Sequence, residues 1–453
     1  MNLEKIISNS PYVIRLLVVN LYGFLLSRRR FSKNFYRYLN LLNSNLNKTK
    51  EEVKKEQFKL VKENLVFCYE KIPYYKELFD KVLFQPKNMI SLKEIELIPY
   101  LTKDKIRENF DQLSNPSISK FYYQTHSTSG STGEKLKFKI PKSLLYEINS
   151  AFIYRFYGMY GIKPKDKRVT IGGRRFTNRA PYWVVNYFEN QLLVSSHHLQ
   201  DENLLPILRR IEKFKPKFFQ GHPNSILRLA KYINQNPLVL KINLKAIFTT
   251  GETLIETDRK IIEKIFNTKI YQQYGSGESC FSAQETEDQK NYLLNYEHGF
   301  VELIGDEPYK EVVVTSLKNN VMPFVRYKLG DLVIPVKKKE TNSKFSLPHL
   351  CSEVLGRTDD IIEDFEGNEV LPVELRMILK PFLTEGTNYQ LIQIGAGRYN
   401  LNLVDSKKTI SVRKMITSLN NILGDNIEIE VSYKHSITSA GGKIRNIIKN
   451  ITN

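Results

Sequence analysis

The segment THSTSGSTGEKLKF, residues 125–138, holds the densest group of side chains in the chain that suit phosphate binding. Hydroxyl residues and glycines alternate after His126, and Lys135 and Lys137 follow them. The backbone N–H groups and hydroxyls of such a loop can surround a polyphosphate, because glycine adopts the backbone conformations that this requires. The G-x-x-x-x-G-K-[ST] spacing of a Walker A loop is absent. Taken alone, the segment also fits a flexible Ser/Gly linker.

Three further polar turns, each containing glycine, follow short β-rich runs. They are GHPNS at 221–225, TTGET at 249–253 and YGSGE at 274–278, the last of which ends in Glu278. In open α/β sheets, ligands bind beyond the carboxyl ends of the strands, where glycine permits a close approach of the backbone. Three such turns in succession predict one binding crevice.

The elements that carry these turns have the pattern of an α/β domain. Strands are predicted at 168–172, 217–221, 245–251 and 268–275, and helices at about 202–214, 224–235 and 254–266. Strands that alternate with helices of this length indicate right-handed βαβ crossovers and a parallel sheet covered on both faces.

The C-terminal part of the chain changes to an α+β pattern. Strands are predicted at 311–316, 323–328, 331–335, near Asp360, and at 388–394, 399–404 and 427–433, with helices at 372–379 and 408–423. The residues beyond Gly356 form a unit of about 95 residues, a normal size for a small domain. We therefore predict a large domain at 1–358, with a helical N-terminal extension at 1–50, and a small domain at 359–453.

The N-terminal region is predicted to be helical. Residues 51–80 have the period of an amphipathic helix, which the pair Ile72-Pro73 ends. The apolar segment 11–26 precedes three arginines, is interrupted by Arg15 and Asn20, and is shorter than the roughly 20 residues that span a bilayer. We expect a helix packed on the body of the protein, with an interfacial helix at a cytoplasmic membrane surface as the main alternative.

The composition is that of a globular protein with more than one core. The chain has 453 residues, 41% hydrophobic and 26% charged, with a formal net charge of +20. Its three cysteines lie far apart, which suggests neither a disulfide framework nor a zinc site and fits a reducing cytosol. The positive charge permits attraction to nucleic acid, anionic lipid or a polyanion. No basic recognition helix, zinc finger or RNA-binding sheet pattern is present, so we do not expect nucleic-acid binding.

Six segments, in order, resemble the motifs of the adenylate-forming superfamily. They are TSGSTGEK at 128–135, TTGE at 249–252, YGSGE at 274–278, RYKLGD at 326–331, GRTDDII at 356–362 and GGKIR at 441–445. One such match is weak, but six in this order are strong. The resemblance implies a large N-terminal α/β adenylation domain and a small, mobile C-terminal α+β domain.

Within that superfamily, the chain most resembles the phenylacetate-CoA ligases, and in particular their relatives from capsular-polysaccharide gene clusters. The closer match rests on His126 before the phosphate loop and on three longer segments, KIPYYKELF at 71–79, QGHPNSILRLAKYI at 220–233 and VVVTSLKNNVMPFVRYKLGDL at 312–332. It extends over nearly the whole chain. It implies a cytoplasmic enzyme. Peripheral contact at the inner membrane face through residues 11–30 is an alternative that stays open.

The resemblance implies activation of a small carboxylic acid by Mg²⁺-ATP. The acid would attack the α-phosphate to give acyl-AMP and pyrophosphate, and the acyl group would then pass to the thiol of CoA. Three other acceptors remain open: a carrier-protein thiol, an amine, and a sugar hydroxyl. A catalytically impaired nucleotide-binding or scaffolding protein is the alternative from another class.

The same resemblance assigns roles to individual residues. The phosphates of ATP would lie against Thr128, Ser129, Gly130, Ser131, Thr132 and Gly133. The nucleotide would also contact Thr250, Gly251, Glu252, Tyr274, Gly275, Asp331 and Arg357, with Asp331 at the ribose. Glu278 would bind Mg²⁺, Lys443 would neutralise charge between the carboxylate and the α-phosphate, and Asp359 would be the hinge. His126 would contact the acyl carboxylate or the loop, with a merely structural hydrogen bond as the alternative.

Some features depart from the family pattern or remain ambiguous. Glu134 adds negative charge beside the phosphate loop, and Ser276 with Gly277 makes the Glu278 turn looser than a bulky pair would. An aromatic cluster at 181–188 contains Tyr182, Trp183, Tyr187 and Phe188. Such clusters are more often core, so an acyl pocket there is the weaker interpretation.

Overall fold

The computed structural model describes residues 7–450 with gaps. The residues outside this description are 128–135, 174–175, 237–240, 253, 338–342, 344, 384–386, 406–407, 435–436 and 438–445, together with the ends of the chain. The predicted phosphate loop, Thr128 to Gly133, and the predicted Lys443 therefore lie outside the described residues, as does Glu134.

The described helices lie along the whole chain. In chain order they are α1 (Tyr12–Arg30), α2 (Lys33–Ser44), α3 (Lys50–Lys71), α4 (Pro73–Lys81), α5 (Lys103–Glu108), α6 (Asn149–Met159), α7 (Asp201–Phe214), α8 (Pro223–Gln235), α9 (Glu256–Phe266), α10 (Pro372–Leu379) and α11 (Val412–Leu423). The helix predicted at 51–80 is two helices, because the backbone of Ile72 is extended before Pro73. None of the described helices is long and apolar enough to cross a membrane.

Two small strands, β1 (Tyr123–Ser127) and β2 (Lys137–Pro141), pair antiparallel on either side of residues 128–135. The main sheet of the described residues has twelve strands. They are β3 (Arg168–Gly172), β4 (Trp183–Asn186), β5 (Gln191–Ser195), β6 (Phe218–Gly221), β7 (Ala246–Thr250), β8 (Ile270–Gly275), β9 (Ser282–Glu285), β10 (Tyr292–Leu294), β11 (Gly299–Ile304), β12 (Lys310–Ser316), β13 (Tyr327–Pro335) and β14 (His349–Arg357). Their spatial order is β11-β12-β13-β14-β10-β9-β8-β7-β6-β3-β5-β4.

The predicted parallel sheet is confirmed. Strand β3 is parallel to both β5 and β6, and β6, β7 and β8 continue the parallel run. Both faces are covered: Phe219 packs against α7 and α8 residues on one side, and Phe218 against α2 and α6 residues on the other. Successive side chains of a strand point to opposite faces, so adjacent phenylalanines serve two cores.

One predicted strand beyond the parallel half is wrong. Residues 323–328 do not form a separate strand; a single strand begins at Tyr327 and runs through the segment predicted at 331–335. Pro323 has no N–H to donate to a ladder, and Arg326 has a φ of 50°, so the backbone becomes regular only after Arg326.

The C-terminal residues have a core of their own. Its strands are β15 (Ile362–Glu363), β16 (Glu369–Val370), β17 (Asn388–Gly395), β18 (Arg398–Val404), β19 (Glu428–Tyr433) and β20 (Ile447–Lys449). They pack with α10 and α11 around buried residues that all lie between Ile362 and Ile447. The short strand predicted near Asp360 is confirmed: it starts at Ile362, directly after the 3₁₀ turn Thr358–Asp360. The domain boundary at 358 stays a prediction.

Candidate active site

The turns that follow β6 and β7 contact each other. His222 Nδ1 lies 3.1 Å from the carbonyl oxygen of Thr250, and Asn224 donates its amide to the Glu252 carboxylate at 2.9 Å. Gly251 has a φ of 82°, and a Cβ there would lie 3.3 Å from the His222 ring. Glycine is therefore required both by the left-handed backbone and by the neighbouring histidine.

Strand β8 connects this pair of turns to the next polar group. The side chain of Gln272 donates to the carbonyl oxygen of Glu252 at 3.0 Å. Two residues further along the strand, the Tyr274 hydroxyl donates to Asp331 Oδ2 at 2.9 Å. The predicted residues of TTGE, YGSGE and RYKLGD thus lie along one end of the sheet.

Asp331 and Arg357 face each other across the β13–β14 ladder. They are register partners, and Arg357 Nη1 lies 3.7 Å from Asp331 Oδ1. Arg357 also donates to the carbonyl oxygen of Leu329 at 3.1 Å. Burial and the Asp331 charge raise the pKa of the Tyr274 phenol well above its ordinary value, so Tyr274 remains a neutral donor to this carboxylate.

Glu278 lies in the same region and is buried, with 7% of its surface exposed. The Tyr327 hydroxyl donates to Glu278 Oε1 at 3.3 Å. Burial raises the pKa of the Glu278 carboxyl, an effect that Arg357 opposes and Asp331 increases. Its carboxylate also accepts a hydrogen bond from the backbone, and a buried carboxylate with only partial charge compensation fits a ligand of a hard cation.

The turn that carries Glu278 is held by His298, which the sequence analysis did not single out. His298 Nε2 lies 3.1 Å from the carbonyl oxygen of Ser279, and Nδ1 lies 2.9 Å from Ser282 Oγ. Its ring stacks on Phe152 with centroids 4.5 Å apart. Burial lowers the pKa of His298 to about 3, so the imidazole is neutral.

The predicted looseness of this turn is offset by its own hydrogen bonds. Ser276 Oγ accepts a hydrogen bond from the Cys280 amide at 3.2 Å, and Ser279 has a φ of 55°. A short hydroxyl side chain can close such a turn, which a bulky residue at this position could not do. Ser276 therefore orders the loop that ends at Glu278.

The predicted hinge residue Asp359 also lies here. Its carboxylate accepts from Lys103 Nζ at 2.8 Å, and Thr358 Oγ1 lies 3.3 Å from the carbonyl oxygen of Gly330. Lys103, the first residue of α5, was not predicted as a site residue. No sequence signal indicated it, because its partner lies 256 residues away.

His126 and the aromatic cluster occupy different places. His126 is half-buried on β1, stacks on Phe138 at 6.2 Å, and its Nε2 has no hydrogen-bond partner among the described residues. It lies two residues before the predicted phosphate loop. The aromatic cluster lies at the outer strand β4, where Tyr187 and Phe188 are exposed, and not at the ends of β6 to β8. The structure does not support an acyl pocket there.

Comparisons with known proteins identify the relatives of the chain. No protein-family model matches it. CapK of Staphylococcus aureus is 28% identical over 99% of this chain and 100% of that protein. Phenylacetate-coenzyme A ligases of Thermus thermophilus and Escherichia coli are 21% and 23% identical, over 76% and 75% of this chain and 78% and 79% of those proteins.

The chain is a homologue of CapK and of the phenylacetate-CoA ligases. A solved 2-hydroxyisobutyryl-CoA ligase in its postadenylation state shares the fold, with a TM-score of 0.66 at 17% identity, covering 90% of this chain and 91% of that one. The same ligase in its thioesterification state gives 0.56 over the same coverage. The predicted fold of the adenylate-forming ligases is confirmed.

Proposed function

We propose that the protein is an ATP-dependent acid–thiol ligase. It converts a carboxylic acid and ATP to acyl-AMP and pyrophosphate, and then transfers the acyl group to CoA. The observation that carries the proposal is the cluster of Tyr274, Asp331, Arg357 and Glu278 at the strand ends, in a chain homologous to phenylacetate-CoA ligases.

The nucleotide is held by the groups around Asp331. Its carboxylate accepts hydrogen bonds from the ribose hydroxyls. Tyr274 and Arg357 fix the orientation of that carboxylate. The turn from Thr250 to Glu252, ordered by His222 and Asn224, lies at the adenine. Thr128 to Gly133 hold the phosphates, a role that rests on the motif alone.

Glu278 is the protein ligand for Mg²⁺, which needs only one or two carboxylates beside the phosphate oxygens of a nucleotide. When bound there, Mg²⁺ would supply positive charge to the phosphates of the nucleotide. Tyr327 and His298 keep Glu278 in place, the first through its carboxylate and the second through the following residue.

The first reaction forms one P–O bond and breaks another. A carboxylate oxygen of the acid attacks the α-phosphorus of ATP, and pyrophosphate leaves with the electron pair of the broken bond. Lys443 compensates the charge between these two anions. His126, whose Nε2 has no partner in the part of the chain that the structure describes, contacts the acyl carboxylate or the phosphate loop. The second reaction places the sulfur of CoA on the acyl carbon and expels AMP.

The relatives support the acceptor and the biological role in this proposal. The solved ligase was captured with both 2-HIB-AMP and CoA, which supports CoA as the acceptor. Similarity to CapK along the whole chain supports a role in bacterial surface-polysaccharide biosynthesis. We place the reaction in the cytoplasm.

The test is pyrophosphate release from Mg²⁺-ATP across a library of carboxylic acids. We expect at least one acid to give release, and Glu278→Gln to reduce turnover by at least about tenfold, since one carboxylate ligand is lost. Gln keeps the shape of Glu278 and removes a buried charge, so the variant should fold. A folded wild-type protein that binds ATP and releases no pyrophosphate with any acid would favour the scaffolding alternative.

A further inference from the structure

Helix α1 exposes many of its apolar residues, and none of its leucines, valines or phenylalanine is fully buried. Arg15, Gly23 and Ser27 are its buried residues. Leu17 and Leu21 expose 66% and 67% of their surface, and Val13, Ile14, Phe24 and Leu25 are also exposed. This is the reverse of an ordinary surface helix, whose apolar stripe faces the core.

The buried side of α1 is satisfied by polar contacts with the body of the protein. The Arg15 guanidinium donates to the Thr177 hydroxyl and to three carbonyl oxygens, those of Arg179, Ala180 and Pro181. The two terminal nitrogens of this guanidinium therefore bond inside the molecule, while Nε has no partner among the described residues. Arg15, which interrupts the apolar sequence, is therefore a residue through which α1 contacts the body of the protein.

The same side closes the outer edge of the main sheet. Asn20 donates to the carbonyl oxygen of Val185 and accepts from the Tyr187 amide, both at 2.8 Å, so it pairs with β4 as a strand would. Gly23 lies against Asn186, where a Cβ would come within 2.4 Å of the amide oxygen. These contacts protect the edge strand and position α1 mainly through polar groups, together with Leu16, which packs against the neighbouring core.

The outward residues form one continuous surface, which we call the α1 surface: Val13, Ile14, Leu17, Leu21, Phe24 and Leu25. Positions 13, 17, 21 and 25 recur every four residues and lie on one side of a helix about 28 Å long. Phe188 extends the surface, since its ring contacts Phe24 edge to face at 5.1 Å.

The stretch of sequence that carries this surface has charges of one sign. Between Glu4 and Glu51 the sequence contains no acidic residue, and its basic residues are Lys5, Arg15, Arg28, Arg29, Arg30, Lys33, Arg37, Lys48 and Lys50. Arg28 and Arg29 are exposed at the end of α1, and the Arg28 guanidinium lies 5.5 Å from the Phe24 ring. An apolar row next to exposed arginines is complementary to a surface that offers hydrocarbon beneath negative charge.

We propose that the α1 surface binds the face of an anionic lipid bilayer, with α1 lying in the headgroup region. A bilayer supplies negative headgroups and apolar depth along the whole helix. A second copy of this chain would present the same apolar row and arginines, without a carboxylate from this stretch of sequence. The proposal is independent of the ligase chemistry.

The test is sedimentation of the full chain with vesicles of equal parts phosphatidylglycerol and phosphatidylcholine. We expect wild type to bind these vesicles, more weakly as salt rises, and to bind phosphatidylcholine vesicles less. Leu17→Glu/Leu21→Glu should lose at least about tenfold in vesicle affinity, since both apolar contacts are replaced by like charge. The matched control is Ile90→Glu/Leu97→Glu, two exposed apolar residues outside the α1 surface, which should bind as wild type does.

A second variant keeps the proposal testable if the glutamates disturb folding. Arg28→Ala/Arg29→Ala leaves the apolar row intact and should flatten the dependence of vesicle binding on salt. Pyrophosphate release without vesicles is measured in parallel and should not change in these variants, so loss of the ligase reaction would be seen separately.

Three outcomes would overturn the proposal. Wild type fails to sediment with the anionic vesicles, or Leu17→Glu/Leu21→Glu binds them as well as its control does. In the third, light scattering without vesicles finds a wild-type dimer that this variant converts to a monomer, which would make the α1 surface a subunit interface.

Discussion

Asp331 illustrates how one carboxylate can be prepared for a ligand by its neighbours. One of its oxygens accepts a hydrogen bond from the Tyr274 hydroxyl, and the other faces Arg357. About 15% of its side-chain surface is exposed. The two partners limit rotation of the carboxylate before a nucleotide arrives. Such preorganisation reduces the entropy lost on binding.

We expect Asp331→Ala to weaken ATP binding by at least about tenfold, because a hydrogen bond to a charged group contributes about 1.5–3 kcal/mol. Isothermal titration with ATP measures this directly. Asp306→Ala, at an exposed loop position, is the matched control and should bind ATP as wild type does. Equal affinity in both variants would remove Asp331 from the nucleotide site.

The turn from Ser276 to Cys280 shows how an element can be ordered from outside its own sequence. Its carbonyl oxygen at Ser279 lies against His298, which belongs to the chain segment before β11 and stacks on α6. The neutral imidazole joins three elements. Its contribution to stability therefore depends on pH.

The sign of that dependence follows from the lowered pKa. The unfolded chain gains a proton on His298 below its ordinary pKa of 6.5, whereas the folded chain does so only near about 3. The stability from neutral His298 is thus complete above pH 6.5 and declines by about 1.4 kcal/mol per pH unit below it.

We predict that His298→Gln is less stable than wild type at pH 7 and that the difference shrinks by about 2 kcal/mol at pH 5. Urea unfolding at the two pH values measures the free energy of unfolding of each protein. Taking the difference between wild type and variant removes the contributions of the other titrating groups. A gap of equal size at both pH values would contradict a buried neutral imidazole.

At the scale of the whole molecule, two ion pairs and an apolar cluster among the described residues connect the C-terminal residues with the rest of the chain. Lys103 pairs with Asp359 at 2.8 Å, and Lys380 pairs with Asp258 on α9. Val373 of α10 packs with Leu332 and Leu355 of the main sheet. The other buried residues beyond Ile362 form a core of their own. This arrangement suits a unit that moves as a body about a short hinge.

In the proposed mechanism, Lys443 reaches the α-phosphate in the first reaction, and the same crevice later admits a bulky thiol. We therefore predict that Lys443→Ala slows acyl-AMP formation but spares thioester formation from supplied acyl-AMP. Asp359→Pro, which restricts φ at the pivot, should mainly slow the thioester step. Both half-reactions are measured separately in each variant.

Two results would contradict the hinge mechanism. One is equal loss of both half-reactions in Lys443→Ala, and the other is an unchanged thioester step in Asp359→Pro. Lys380→Ala tests the other connection and should leave the fold intact, because its partner Asp258 lies beside Arg259 and near the start of α9.

Much of this protein could be predicted from local sequence. The alternating strands and helices from Arg168 to Gly275, and α10 and β17 to β19 beyond them, lie within a few residues of their predicted positions. Hydrophobic period, proline and glycine act over short distances, so these elements are encoded where they occur. The order of the motifs likewise gave the family and the candidate residues.

The tertiary structure decided which distant groups meet. Tyr327 reaches Glu278 across 49 residues, and Lys103 reaches Asp359 across 256. The most informative case is α1, whose sequence predicted an apolar helix but not which side is buried. Arg15 and Asn20 form hydrogen bonds with carbonyl and amide groups at 179–187. Because buried polar groups are hydrogen-bonded, these contacts place that side of α1 against the protein, and the apolar side faces outward. Periodicity within a helix cannot indicate such partners, because they come from a part of the chain about 165 residues away.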